Sequence, residues 1–219
     1  AVGGVPALGV AGEESADQAL LPMVLVVRAQ SPFQTLEQYV TAARTKPVRY
    51  GTSGIGSANH LFGELLKIDG QAPEHDHVPY QGSAPAMQDL MGGQIDAMFD
   101  GMGSSAGHIK GGRIKAIAVA SEKRAPGFAN VPTAKEAGVP TYQVATWYGL
   151  WAPKGTPADV QARIVEEVRK LGQSEEIKTS WAGNGAEFGT LSPQDFGKMV
   201  SGEVKRWAQV VKAADVKLD

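Results

Sequence analysis

The sequence contains no cysteine among its 219 residues. Disulfides, thiolate metal centres and cysteine nucleophiles are therefore excluded, although that absence does not fix the compartment. Neither sign of charge dominates: 21 basic against 23 acidic residues give a net charge of -2. No nucleic-acid footprint and no polybasic membrane patch is expected from such a balance. No apolar run approaches the roughly 20 residues of a membrane span. The apolar start Ala1–Leu8 has no basic region ahead of it, so it does not read as an intact signal peptide. Mature, processed and truncated chains all stay open. What remains is an ordinary globular composition, 42% hydrophobic and 20% charged. The length suits one large domain or two small ones.

A local absence says more. No Lys or Arg stands in the stretch Tyr50-Gly51-Thr52-Ser53-Gly54-Ile55-Gly56-Ser57-Ala58-Asn59-His60. The β-prone Val48 and Tyr50 lead into a loop of glycines and hydroxyls, and an apolar helical stretch follows with Ser57 as its expected N-cap. Small residues bare the backbone, and the first helical turn leaves N–H groups unpaired at the positive end of the helix dipole. An anion held there meets only neutral donors, which suits a carboxylate that binds and leaves. The same residues also make a tight βα connection with no ligand. Spacing removes the sharper alternatives. A dinucleotide fingerprint needs a glycine where Asn59 stands, and a P-loop needs Gly-Lys-Ser/Thr. A nucleophile elbow on Ser53 needs a glycine where Ile55 stands.

Met23–Val27 reads as a strand. Thr35 and Gln38 form a capping-box pattern in which each satisfies the other's backbone donor, with Leu36, Tyr39, Val40 and Ala43 as the apolar stripe behind it. Leu61, Leu65 and Ile68 stripe the helix after the glycine turn. Val78–Tyr80 reads as a strand, with Ser83 capping the next helix and Pro85 in its first turn. Ile95–Phe99 and Ile114–Ala120 read as strands flanking a short helix near Ser104–Ile109. This alternation argues for a mostly parallel α/β sheet. Past Trp147 the chain turns mostly helical. One stripe (Val160, Ile164, Val168, Leu171) is expected to stop at Gly172, and a second carries Phe196, Met199, Trp207 and Val211. Few strands remain to cover these faces. They are expected to pack on a second copy of the chain, on a separate N-terminal piece, or against residues 23–146.

Several motifs then stand in order. Tyr50–Gly56 with Ser57 and His60 comes first, followed by His77-Val78-Pro79-Tyr80-Gln81-Gly82-Ser83-Ala84-Pro85-Ala86 and Asp89-Leu90-Met91-Gly92-Gly93-Gln94-Ile95-Asp96-Ala97-Met98-Phe99-Asp100. Val131-Pro132-Thr133 with Glu136-Ala137-Gly138, Trp147-Tyr148-Gly149-Leu150-Trp151-Ala152-Pro153-Lys154-Gly155-Thr156-Pro157 and Trp207 complete the set. Over residues 22–219 this order resembles the Bug-type extracytoplasmic solute receptors, the binding proteins of tripartite tricarboxylate transporters. The resemblance implies a periplasmic-binding-protein-like α/β fold whose lobes close on a small organic carboxylate. It implies delivery of that acid to membrane transporter subunits, a periplasmic location, no cofactor, no metal and no catalysis. One complete α/β lobe would span 23–146. Residues 147–219 would recross and form the helical remainder of the other lobe, and 1–22 stay unassigned, without the strand and ligand loop with which the resembling proteins begin.

The expected carboxylate contacts are Thr52, Ser53, Gly56, Ser57 and Ala58, through backbone N–H and hydroxyl groups. Gly82, Ser83 and Ala84 repeat the design of strand, small-residue loop and helix start, and two such starts converging on one cleft fit an open α/β sheet. His60 either points to the ligand or closes the turn. Asp100 either accepts a ligand hydrogen bond or orders its loop, and Trp147 either walls the cleft or serves the hinge. His75 and His77 around Asp76 have metal-pair spacing but no third ligand, so a solvated strand start is expected there. Two other functions compete with the receptor. One is a hydrolase using Ser53 or Ser57 with His60, which lacks an orienting carboxylate nearby. The other is a cut-down or orphan homologue serving in assembly or sensing.

Overall fold

The computed structural model describes residues 15–153, 155–188 and 191–217. One long strand organises it. β1 (Ser15–Arg28) has 14 residues, and each of its pairings is antiparallel. Its first half meets β6 (Ala145–Trp151) and β7 (Glu187–Phe188), while its second half lies between β4 (Ala97–Gly101) and β5 (Ile114–Val119). The strand expected over Met23–Val27 therefore begins at Ser15, inside the segment left unassigned from sequence; residues 1–14 lie outside the described residues. Loss of a readable period in this segment has a physical cause. Strand pairing of Ser15, Ala16 and Ala19 with β6 and β7, across a register shift at Asp17-Gln18, is non-local, so the partner rather than the local pattern decides it.

Below Pro22 the apolar run is buried on both sides. Met23, Leu25 and Val27 enter one core cluster, and Val24 and Val26 enter the other, as the two-residue side-chain period of a strand demands. The sheet runs β3-β2-β4-β1-β5; β2 (Val48–Thr52) is parallel to β3 (His75–Pro79) and β4, but every pairing of β1 is antiparallel, so the sheet is mixed rather than mostly parallel as the alternation suggests. The first cluster is roofed by α1 (Leu36–Ala43) and α2 (Ala58–Asp69), the second by α3 (Ser83–Gly92) and α4 (Met102–Lys110). Each large apolar side chain so buried stabilises the fold by about 1.5–3 kcal/mol.

Local signals were mostly sufficient for the helices. Thr35 caps α1 by accepting the Gln38 N–H at 3.2 Å. The Gln38 side chain, however, accepts from Gln34 N–H at 2.8 Å, one residue before the expected partner. Gly82, not Ser83, is the N-cap of α3: its φ of 111° is a conformation that glycine alone adopts without strain, and Ser83 becomes the first helical residue. Gly63 lets α2 lie on the sheet, since a Cβ there would fall 2.1 Å from the Tyr50 ring.

The two C-terminal helices behave differently. α7 (Pro193–Ala213), capped by Ser192, finds cover within the chain. Phe196 is buried against Trp147 and Trp151, Val210 is buried, and Trp207 packs on Phe62 of α2. Of the covers expected for it, the contact with the 23–146 part is the one observed. α5 (Ala158–Gln173) has no buried residue, and Val160, Ile164 and Leu171 are exposed. It runs one residue past Gly172, and Phe188 packs where a Cβ at that position would be. α6 (Glu175–Gly183) follows and sets Trp181 against Phe188.

Candidate functional site

The parallel strands β2, β3 and β4 deliver their turns to one edge of the sheet. β2 and β4 are neighbours, yet α2 leaves to one face and α4 to the other. Such a reversal opens a crevice at the strands' carboxyl ends, where open α/β sheets hold ligands. The turns are tied together across it. The Tyr80 N–H donates to the Thr52 carbonyl at 3.0 Å, and Gly54 passes close to the Tyr80 carbonyl. Asn59 Nδ2 donates to the Phe99 carbonyl at 2.5 Å, joining the start of α2 to the end of β4.

Within the glycine turn the roles divide. Ser57 is the N-cap: its Oγ accepts the His60 N–H at 3.3 Å and donates to the Gly54 carbonyl at 2.7 Å. Thr52 is fully buried, with its hydroxyl 2.6 Å from His77 Nε2 and accepting the Gly54 N–H at 3.3 Å. The Gly56 N–H donates to His60 Nδ1 at 3.1 Å. Thr52, Gly56 and Ser57 thus build the turn with the groups that were expected to face a ligand. Ser53 and Ala58 lie at its partly open surface. The N–H groups of Ala58 and Asn59, the first two helical positions, meet no acceptor among the described residues. Those of Ser83 and Ala84 at the start of α3 are likewise untaken there. The glycine turn thus offers an anion two open backbone donors, and the start of α3 two more.

His60 is buried and closes the turn. Burial lowers its pKa below the usual 6.5, against an opposing pull from the Glu64 carboxylate. His77 stacks on it at 3.9 Å and is held near 4, by burial first and by the neighbouring His60 second. His75, expected in water, is in the core: 1% exposed, stacked on Tyr50 at 4.1 Å and hydrogen-bonded to the Tyr39 hydroxyl at 2.8 Å. Burial drives it down to about 3. No group of three metal-ligating side chains occurs among the described residues.

Asp100 is buried at the crevice floor and accepts from the Ser104 and Ser105 hydroxyls at 2.7 and 2.8 Å, which orders the start of α4. Trp147 is not brought to the turns. It packs on Phe196 and lines a separate cavity of about 350 Å³ with Pro22, Ala145, Met199 and Arg206 where β1 and β6 cross. Sequence reasoning missed Asn59 and Tyr80 as the ties between turns. Asn59 carried one signal, a polar side chain at the second helical position after the Ser57 cap.

A profile described as the tripartite tricarboxylate transporter family receptor matches residues 15–216. The chain belongs to this receptor family. Among its relatives, a protein from the tcbD-tcbE intergenic region of a Pseudomonas sp. is 36% identical over 88% of this chain and 58% of its own. BugT of Bordetella pertussis is 30% identical over 90% of this chain and 61% of its own. The chain thus spans about three fifths of these curated relatives. An R. palustris family neighbour solved with adipate superposes with a TM-score of 0.82 at 34% identity, covering 93% of this chain and 69% of that one. MatC from Rhodopseudomonas palustris, solved with bound malate, gives 0.78 at 28% identity over 94% and 73%. The fold is that of these periplasmic binding proteins, and no described helix is long and apolar enough to cross a membrane.

Proposed function

We propose that this chain acts as a periplasmic receptor that captures a small organic carboxylate and passes it to a membrane transporter, without turning it over. The observation that carries the reading is the crevice between β2 and β4, where the untaken N–H groups of Ala58 and Asn59 stand in a turn without cations. One carboxylate oxygen pair would sit at this helix start, with Ser53 beside it and the α3 start at Ser83 and Ala84 as a second donor set. Family neighbours solved with adipate and with malate support a dicarboxylate. The hydrogen bonds of Ser57 and His60 speak against their pairing as nucleophile and base. Ser57 Oγ is committed to the Gly54 carbonyl, and His60 Nδ1 to the Gly56 N–H.

The lobe boundaries follow the crossing strands: a ligand-gripping lobe over 23–146, and a second lobe from 147 that shares β1. β6 leaves Tyr148, Leu150 and Trp151 exposed, and α5 adds Val160, Ile164 and Leu171. Exposed apolar side chains in this number favour cover by a partner surface.

A thermal-shift screen against mono-, di- and tricarboxylates and aromatic acids tests the reading. Stabilisation by dicarboxylates is expected. A flat response across the panel at millimolar concentrations contradicts it.

A further inference from the structure

The glycine turn is held from below by a pair of imidazoles. His60, from α2, accepts the Gly56 N–H on Nδ1 at 3.1 Å. His77, from β3, sits 2.6 Å from Thr52 Oγ1, which in turn takes the Gly54 N–H. The rings stack at 3.9 Å with 16° between their planes. One stacked pair thus grips both ends of the turn. An Nδ1 that accepts a backbone N–H must be unprotonated, so His60 is neutral with its proton on Nε2. Protonation would set one N–H against another at Gly56.

We propose that His60 is a positioning residue for the carboxylate turn: its neutral Nδ1 fixes Gly56 so that the Ala58 and Asn59 N–H groups face the crevice, and its protonation lets the turn, and the bound acid, go. This rests on the carboxylate reading above. The titratable groups around His60 are Glu64 on its own helix, Tyr50 on β2, and His75 and His77 on β3. Asp100 on β4 is taken by Ser104 and Ser105. Glu64 lies 3.9 Å from His60 Nε2 and also accepts the Tyr50 hydroxyl at 2.6 Å. A proton arriving on His60 finds that carboxylate on one side and the stacked His77 on the other. Burial outweighs Glu64 and keeps the pair neutral at ordinary pH. The grip therefore holds at neutral pH and is lost as pH falls through the His60 pKa, which burial sets below the ordinary imidazole value.

Long-range proton–nitrogen NMR of the folded chain reads the tautomer of His60 and the Gly56 amide shift as functions of pH. The expected result is an Nε2–H tautomer at neutral pH, with the Gly56 amide moving at the same midpoint as His60. In His60→Asn the side-chain carbonyl takes the place of Nδ1 as a non-titrating acceptor. That variant is expected to keep adipate affinity by calorimetry at neutral pH and to lose the acid-dependent fall of about fivefold or more expected of the wild type. His60→Leu, which cannot accept, should bind weakly at both pH values. An Nδ1–H tautomer at neutral pH, or a Gly56 amide that ignores His60, overturns the positioning role whether or not adipate binds. If the amide follows His60 but neither adipate nor malate binds at neutral pH, the carboxylate reading fails and the tether stands.

Discussion

Acid should unfold this protein through its buried imidazoles before its carboxylates matter, and His75 is the group to watch. It is 1% exposed and its Nε2 bonds the Tyr39 hydroxyl, while the Gly63 backbone on α2 partly offsets its burial. Burial holds its pKa at about 3 in the folded chain, against 6.5 ordinarily. The unfolded chain takes up a proton that the core refuses. The stabilising contribution of neutral His75 is thus complete above about pH 6.5 and is lost progressively as pH falls toward 3. Each pH unit in that window costs about 1.4 kcal/mol per site, so His75 alone should remove about 3 kcal/mol by roughly pH 4.5. Domains of this kind are stable by only about 5–15 kcal/mol. His77, held near 4 but only half buried, adds a smaller share in the same direction. Urea midpoints across this range, compared between the wild type and His75→Phe, isolate the group because every other titrating residue is common to both. The variant should be weaker at neutral pH by about 1–3 kcal/mol, since the Tyr39 hydroxyl loses its partner, and its stability should fall less steeply with acid. Parallel curves for the two proteins would refute the reasoning.

Three further outcomes follow from packing and capping. Gly63→Ala drives a Cβ into the Tyr50 ring and should cost about 1–3 kcal/mol in chemical denaturation, with no loss if α2 can slide. Ser57→Ala removes the cap on α2 and its bond to the Gly54 carbonyl; about 1 kcal/mol of stability should go, together with carboxylate affinity measured by calorimetry. Amide exchange in a dilute monomer should be fast along α5, which buries nothing, and slow around Phe196 and Val210 of α7. Strong protection of α5 would mean that the chain covers it unaided.

Where burial and local chemistry agree, the elements were legible in the residues. The cap at Ser57 and the stripe of α1 are set by contacts within a few residues, and they fall where the pattern places them. The upper half of β1 was not legible, because Ser15–Pro22 is strand only through partners more than a hundred residues away. His75 and His77 misled for a related reason. Two imidazoles flanking an aspartate look solvated in sequence, but β2 brings the Tyr50 ring over His75, and α2 brings His60 over His77. Within the glycine turn, residue type pointed to the place and not to the division of labour. Which N–H groups are spent on the turn and which are left open depends on Thr52 meeting His77, a contact between two strands.

The central claim is that open backbone N–H groups at the start of α2 hold a carboxylate, and Ala58→Pro tests it most directly. Proline is tolerated at the first helical position, where its missing N–H breaks no helical bond. Ser57, with φ -67° and ψ 161°, already has the extended conformation required before a proline. The substitution therefore deletes one donor and leaves the helix standing. Calorimetry with adipate and malate should show affinity reduced by about tenfold or more, as for one hydrogen bond to a charged group, while the thermal midpoint without ligand stays within a few degrees of wild type. Unchanged affinity in a folded Ala58→Pro chain would contradict the claim.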